Sequence, residues 1–304
     1  MKNVDNKDGP STVQTDSTIQ PISPTKPESN IYNQRKKEGI ANQRRGFAAE
    51  KCLVRLLNYT SFRRAFSDFF GLSTKYSAKS ARLTPMSTKT DVDFSNPITD
   101  RVNFQVKSST ICENPKPFLQ EGRGGQIDKR SCASFVKLFH LEKFNNILRP
   151  FFEIPLDQRT GKVDYRIGSK LLTSENYSNS VLDNLVHEFN QRKDMILNTL
   201  FLGNSELTKP EFITFILYEK NTNKEKYLVI YRMYDIIKYL KKFQFTIGKN
   251  GTYLTLGNIF SIRRKGGDSG RSTANKVQAI LNVKMLLDNM DSPDSNKTGF
   301  YYKF

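Results

Sequence analysis

The stretch Lys89-Thr90-Asp91-Val92-Asp93-Phe94, followed by Ser95-Asn96-Pro97 and then Val102-Asn103-Phe104-Gln105-Val106-Lys107, decides the fold. Both flanks alternate apolar and polar residues with a period of two across a short, turn-like connector, which predicts two adjacent antiparallel strands. In the second strand Val102, Phe104 and Val106 face one way, and Asn103, Gln105 and Lys107 face the other. In the first, Asp91 and Asp93 share the face opposite Val92 and Phe94. The hairpin therefore offers carboxylates, an amide and an ammonium from neighbouring strands.

Upstream, Gly46 to Asn58 (GFAAEKCLVRLLN) repeats its apolar residues at helical spacing. On a helical wheel Ala49, Cys52, Leu53, Val54, Leu56 and Leu57 share one broad face, with Lys51, Arg55 and Asn58 opposite. Glu50 falls inside the apolar arc. A carboxylate there has to be ion-paired, protonated or metal-bound, because an isolated buried charge is too costly. A structural ion pair and a place in a reactive site both meet that requirement.

Residues 1–38 are polar and rich in Pro, Ser, Thr, Asn and Lys. With so little apolar surface to offset ordering entropy, the segment is expected to be a disordered basic arm. Arg35-Lys36-Lys37, with Arg44-Arg45 beyond, suits either solvent or a line of phosphates. The remainder, 39–304, reads as a single α/β domain, in which the stretches near 42–150 and near 250–288 carry the motifs that point to function. Between these lie a Pro- and Gly-rich loop ending in Gly122-Arg123-Gly124-Gly125, helical segments over Ser131 to Leu148 and Ser180 to Leu202, strands over Phe212 to Tyr218 and Tyr227 to Tyr231, and a helix over Tyr234 to Phe243. Two further strands, Asn258 to Arg264 and Val277 to Val283, flank Lys265-Gly266-Gly267-Asp268-Ser269-Gly270-Arg271.

Charge narrows the partners. Lys and Arg number 48 against 30 Asp and Glu, a formal charge of +18 in 304 residues, which draws the chain toward a polyanion. Nucleic acid and an anionic membrane surface both qualify. No apolar run reaches the roughly 18 residues that span a bilayer, and the first residues lack a signal peptide's apolar centre, so a cytoplasmic protein is expected. Cys52, Cys112 and Cys132 have no CxxC spacing and are expected to be reduced thiols. The two histidines, His140 and His187, have no partners at ligand spacing, which disfavours nuclease mechanisms that rely on paired histidines. No GxxxxGK[ST] loop occurs, which argues against ATP-coupled translocation.

What remains is chemistry on oxygen ligands. Phosphodiester hydrolysis needs a cation to hold the scissile phosphate and activate water, and a hard cation such as Mg²⁺ takes oxygen donors. Asp91 offers a carboxylate, Gln105 an amide oxygen, Glu50 a second carboxylate, and Lys107 a positive charge for the developing anion. Short D…QxK patterns also arise at ordinary charged sheet edges, and Asp93 competes with Asp91 for the ligand role.

The stretches RRGFAAEK, VNFQVKSS, GGQIDKR and SIRRKGGDSGRSTANKVQ together resemble the HinP-type, GCGC-cutting type II restriction endonucleases of the PD-(D/E)XK superfamily, a family related to MspI. The likeness runs from about Asn42 to Asp288 in the same order and approximate spacing, and is weakest from Phe152 to Lys241. It implies a restriction-endonuclease-like α/β fold with a mixed central sheet flanked by helices, Mg²⁺-dependent cleavage of double-stranded DNA with Mn²⁺ as substitute, and 5′-phosphate ends. Carried over by motif, Asp91 in its Lys-Thr-Asp context becomes the metal-binding aspartate, Gln105 and Lys107 the glutamine and catalytic lysine, and Glu50 the helix glutamate. The resemblance also implies a companion DNA methyltransferase, with the nuclease acting as a monomer or weak dimer.

Base edges are read by Arg or Lys at guanine, Asn or Gln at adenine, and acids at the cytosine amine. Arg263, Arg264, Lys265, Asp268, Ser269, Arg271 and Asn275 gather such groups around three glycines, and Gln126 with Lys129 supplies a second set. Asp268 is the informative member, since a loop binding phosphate alone gains nothing from an acid; an internal pair with Arg271 is the structural alternative. Two departures flank this region: the segment from Lys107 to Gln126 is longer than in the family pattern, and Gly125 replaces an asparagine. Tyr301 and Tyr302 are candidates for packing or for stacking on bases. Two other roles suit the same residues, a repair or junction nuclease and a catalytically silent DNA-binding regulator. The joint presence of Glu50, Asp91, Gln105 and Lys107 weighs against the regulator, and an acid-containing reading loop weighs against a shape-reading repair enzyme.

Overall fold

The alternation in the opening stretch folds as expected. In the computed structural model of the protein, which describes residues 26–72, 81–84, 89–95, 101–111, 125–153, 170–204, 209–219, 222–264, 276–290 and 298–304, its two halves are neighbouring antiparallel strands. Val92 lies opposite Phe104 and Phe94 opposite Val102. They belong to a six-stranded sheet composed, in spatial order, of β1 (Arg82–Leu83), β2 (Val92–Ser95), β3 (Arg101–Ile111), β5 (Phe212–Glu219), β6 (Glu225–Arg232) and β11 (Phe300–Lys303). A second sheet of five strands runs β4 (Gly125–Ser131), β10 (Lys276–Leu281), β9 (Phe260–Arg264), β8 (Tyr253–Leu256) and β7 (Phe245–Ile247). β3 and β5 are parallel; every other neighbouring pair is antiparallel. The mixed central sheet is therefore joined by an antiparallel one that carries the strands expected to read DNA.

Burial follows the pleat. Along β5, Phe212, Ile216 and Tyr218 enter one core, while Ile213, Phe215 and Leu217 enter another. A strand apolar on both faces is a central strand covered on both sides. The first core is closed by α1 (Lys26–Asn58) and α2 (Thr60–Phe70). Ala49, Cys52, Leu53, Leu56 and Leu57 of α1 are buried there, with Lys51, Arg55 and Asn58 exposed, as their spacing predicts. The second core contains buried residues of α3 (Cys132–Leu138), α4 (Asn145–Phe152), α5 (Asn179–Gln191), α6 (Lys193–Leu202), α7 (Met233–Leu240) and α8 (Val283–Met290), with apolar residues of the second sheet.

The chain divides into two compact units, Met1–Gln43 and Arg44–Phe304. In the first, helix runs from Lys26 to the unit's end, where the sequence predicts a disordered arm to residue 38; residues 1–25 of that prediction lie outside the described residues. Low hydrophobicity limits burial, not local helix formation. This segment is rich in Lys, Arg, Gln and Glu, which lose little rotamer freedom in a helix, and Pro27 falls in the first turn, where no helical N–H bond is lost. In the second unit the expected strand over Val277 to Val283 ends at Leu281 and gives way to α8. Cys52 and Cys132 are buried free thiols, and Cys112 lies outside the described residues. Among the described residues no helix is long and apolar enough to cross a membrane.

Candidate active site

Asp91 immediately precedes β2 and is locked to β3 by its backbone and its side chain. Its N–H donates to the Phe104 carbonyl at 2.8 Å, and its Oδ2 accepts from the Val106 N–H at 2.7 Å. The same Oδ2 lies 3.8 Å from Lys107 Nζ, in a pair whose two side chains retain partial access to solvent. The strand alternation predicted for β3 explains the rest: Val102, Phe104 and Val106 are in the core against α1 and α2, so Gln105 and Lys107 project from the other face.

Gln105 is buried, only 3% exposed. Its Nε2 donates to the Ile127 carbonyl at 3.4 Å, while its buried Oε1 has no hydrogen-bond partner among the described residues. An unpaired buried amide oxygen costs about 1–3 kcal/mol. It is the kind of donor a hard cation takes.

Glu50, half-buried on α1, is affected electrostatically by both partners. Burial raises its carboxyl above the ordinary range, Asp91 raises it further, and Lys107 opposes them. A cation beside these two carboxylates would relieve that repulsion. Among the described residues no three His, Cys, Asp or Glu side chains converge as a metal cluster; the candidate set is two carboxylates and an amide. Asp93, the rival to Asp91, is buried with Oδ2 3.1 Å from the Arg82 guanidinium, and its Oδ1 has no partner among the described residues.

Next to this set stands β4. Gln126 and Lys129 are exposed, whereas Asp128 and Arg130 are half-buried. Asp128 accepts from Arg130 Nε and Nη2 at 2.8 and 2.9 Å, and from Lys89 Nζ at 3.1 Å. Burial works against the Asp128 carboxylate, but the Arg130 hydrogen bonds and the Lys89 charge outweigh it and hold its pKa below the ordinary value. Burial pushes the Lys89 ammonium downward, with Asp128 opposing. Gln126 Oε1 accepts from Gln278 Nε2 at 2.6 Å, and Gln278 lies opposite both Lys129 and Arg263 in the strand register. Gln278, Lys89, Asp128 and Arg130 were not distinguished as site residues by sequence pattern. Lys89 and Gln278 find their partners 39 and 152 residues away in sequence, and Arg130 pairs with Asp128 along β4.

Arg263 and Arg264 end β9 and are half-buried. Lys265, Asp268, Ser269, Arg271 and Asn275 lie outside the described residues. A Cβ on Gly125 would meet Lys107 Cγ at 3.5 Å, an ordinary contact, so space alone does not require glycine at this departure from the family pattern. Tyr301 and Tyr302 serve packing: the Tyr301 hydroxyl is 2.9 Å from that of Tyr231, and Tyr302 lies edge-on to Phe62.

Comparison with known proteins gives the class. Residues 77–287 match the family model for the R.HinP1I restriction endonuclease, so the chain is a type II site-specific deoxyribonuclease. It belongs to the R.HinP1I restriction endonuclease family. The matched span includes every site residue above except Glu50, and it begins later than the likeness expected from Asn42. Among solved structures, the chain is similar to restriction endonuclease MspI in complex with its cognate DNA, with a TM-score of 0.48 and 12% identity over 84% of this chain and 98% of that one. No curated protein matches the chain.

Proposed function

We propose that this restriction endonuclease cleaves double-stranded DNA at a short GC-rich site, GCGC or a variant of it, using Mg²⁺ with Mn²⁺ as a substitute, and leaves 5′-phosphate ends. The observation that carries the metal reading is Gln105 Oε1, an orphaned buried oxygen on the strand that also bears Lys107. Asp91, Gln105 and Glu50 would hold the ion. When bound, such an ion polarises the phosphate and eases ionisation of a water.

The chain's own groups do the remainder. The Val106 N–H and the Lys107 ammonium approach Asp91 at Oδ2, which favours Oδ1 as the ligand atom. Lys107 is suited to stabilise negative charge developing on the phosphate, a role that a preorganised cation fills at no cost of reorganisation during the reaction. Gln126 and Lys129 on β4, with Arg263 and Arg264 on β9, supply amides and cations for base edges and phosphates. The resemblance adds Lys265, Asp268, Ser269, Arg271 and Asn275 to that surface, and implies that a companion methyltransferase protects the host's own sites.

Plasmid digestion in Mg²⁺, followed by sequencing of the fragment ends, tests the reading. Discrete fragments sharing one GC-rich terminus with 5′ phosphates are expected. Cleavage confined to mismatches or junctions would replace this reading with a repair role, and sequence-specific binding without cutting in either Mg²⁺ or Mn²⁺ would replace it with a regulatory one.

A further inference from the structure

The pairing of β4 with β10 breaks at one residue. Asp128 lies opposite Ala279 and Gln126 opposite Ile280, so the register passes over Ile127. Such a bulge turns a peptide group out of its ladder. The Ile127 carbonyl accepts Lys89 Nζ at 2.7 Å and Gln105 Nε2 at 3.4 Å. One oxygen thereby joins the segment leading to Asp91, the strand carrying Gln105, and the strand carrying Gln126 and Lys129.

The acceptor decides which way the Gln105 amide points. With a carbonyl oxygen fixed opposite it, the amide presents its NH₂ to Ile127, because the flipped amide would set two oxygens against each other. Oε1 must then turn away. Lys89 holds that carbonyl and is itself held by Asp128, whose carboxylate is clamped by both Arg130 contacts. Lys89 and Asp128 side chains are 15% and 14% exposed, so this ion pair is little screened by solvent. Lys89 is also only two residues from Asp91, and fixing one restricts the other.

We propose that Lys89 is a positioning residue which, through the bulged Ile127 carbonyl, presents Gln105 Oε1 for metal binding and ties the geometry of the metal site to the position of β4. This rests on the reading of Gln105 as a ligand. Groups that orient ligands act on metal affinity, typically by about 10- to 100-fold.

The test uses the full chain and Mn²⁺ alone, with binding followed by the paramagnetic resonance of the free ion, and plasmid cleavage measured across Mn²⁺ concentrations. Lys89→Met, which keeps the apolar stem, is expected to weaken Mn²⁺ binding about 10-fold, with cutting restored by high Mn²⁺. Asp128→Asn should shift the same curve in the same direction and serves if Lys89→Met does not fold. In a Gln105→Ala background, Lys89→Met should add less than about twofold, since both changes act through one oxygen. Wild-type Mn²⁺ affinity in both Lys89→Met and Asp128→Asn would overturn the proposal, as would a full additional loss in the Gln105→Ala background. If Gln105→Ala itself binds Mn²⁺ like the wild type, the ligand reading fails and the positioning role fails with it.

Discussion

Lys107 and Asp91 meet at 3.8 Å near the solvent boundary, where the ammonium is paired with the carboxylate and still available to a phosphate. Replacing the lysine with alanine removes the charge and leaves in place the hydrogen bond that the Val106 N–H donates to Asp91 Oδ2. Lys107→Ala is therefore expected to slow cleavage by about 10²- to 10³-fold or more while DNA binding stays within about threefold. Single-turnover cutting and a binding titration in Ca²⁺ separate the two effects; normal cutting would remove Lys107 from the mechanism. Asp128 makes a different prediction, one about stability. Its folded-state pKa is depressed, so its stabilisation is fully present above the unfolded value of about 3.9 and is lost as pH falls through the lower folded value. Asp128→Asn should cost about 2 kcal/mol at pH 7. Below about pH 4 the gap to wild type should narrow. Urea unfolding at pH 7 and pH 3 gives the comparison, and an equal gap at both would contradict the assignment.

At the scale of elements, α2 shows where packing outweighs pattern. Phe66, 1% exposed, makes ring contacts with Phe70, Phe104, Phe212 and Phe300, so one side chain ties α2 to β3, β5 and β11. Gly71 ends the helix at φ 61°, a left-handed conformation that glycine adopts without strain. Phe66→Ala should lower the unfolding free energy by about 3–5 kcal/mol, measurable by denaturant titration, and a loss below about 1 kcal/mol would mean that the cluster collapses to fill the cavity. The spacing of Phe62, Phe66, Phe69 and Phe70 is helical, yet no helix was expected there from the sequence, where the charges of the neighbouring segments dominate. The β2–β3 hairpin and the buried face of α1 were legible because each repeats a single period over several residues. The bulge at Ile127 was not. Strict alternation would place Gln126 with Asp128 and separate it from Lys129, whereas the structure exposes Gln126 and Lys129 and partly buries Asp128. The same limit hid Lys89 and Asp128, which pair across 39 residues of sequence. Asp91, Gln105 and Lys107 could be singled out because one hairpin carries all three, whereas Lys89 finds its partner Asp128 on a strand of the other sheet.

Across the whole molecule the excess of 48 basic over 30 acidic residues has to be reconciled with a site that is itself acidic. In the proposed metal site Asp91 and Glu50 would repel a phosphate until the ion binds, so the chain's attraction for DNA is expected to come from basic groups away from those carboxylates. Binding should then be governed by counterion release, with log K falling by about 0.9 per phosphate neutralised for each unit of log salt. Six to ten such contacts would weaken binding about 10³- to 10⁵-fold between roughly 50 and 200 mM salt. Lys129 gives this a local test, being exposed on β4 next to the Gln126–Gln278 amide pair. If Lys129 meets a phosphate, Lys129→Ala should weaken cognate and unrelated duplexes alike and reduce the salt slope by about 1. If it reads a base, the loss should fall on cognate DNA alone and leave the slope for unrelated duplexes unchanged. Because β4 is also the strand hydrogen-bonded to the Gln105 amide through the Ile127 carbonyl, phosphate contact at Lys129 would pull on the element that holds that amide. Binding measured over that salt range in Ca²⁺, on both duplexes, distinguishes these outcomes, and a flat salt response would rule out the basic excess as the source of affinity.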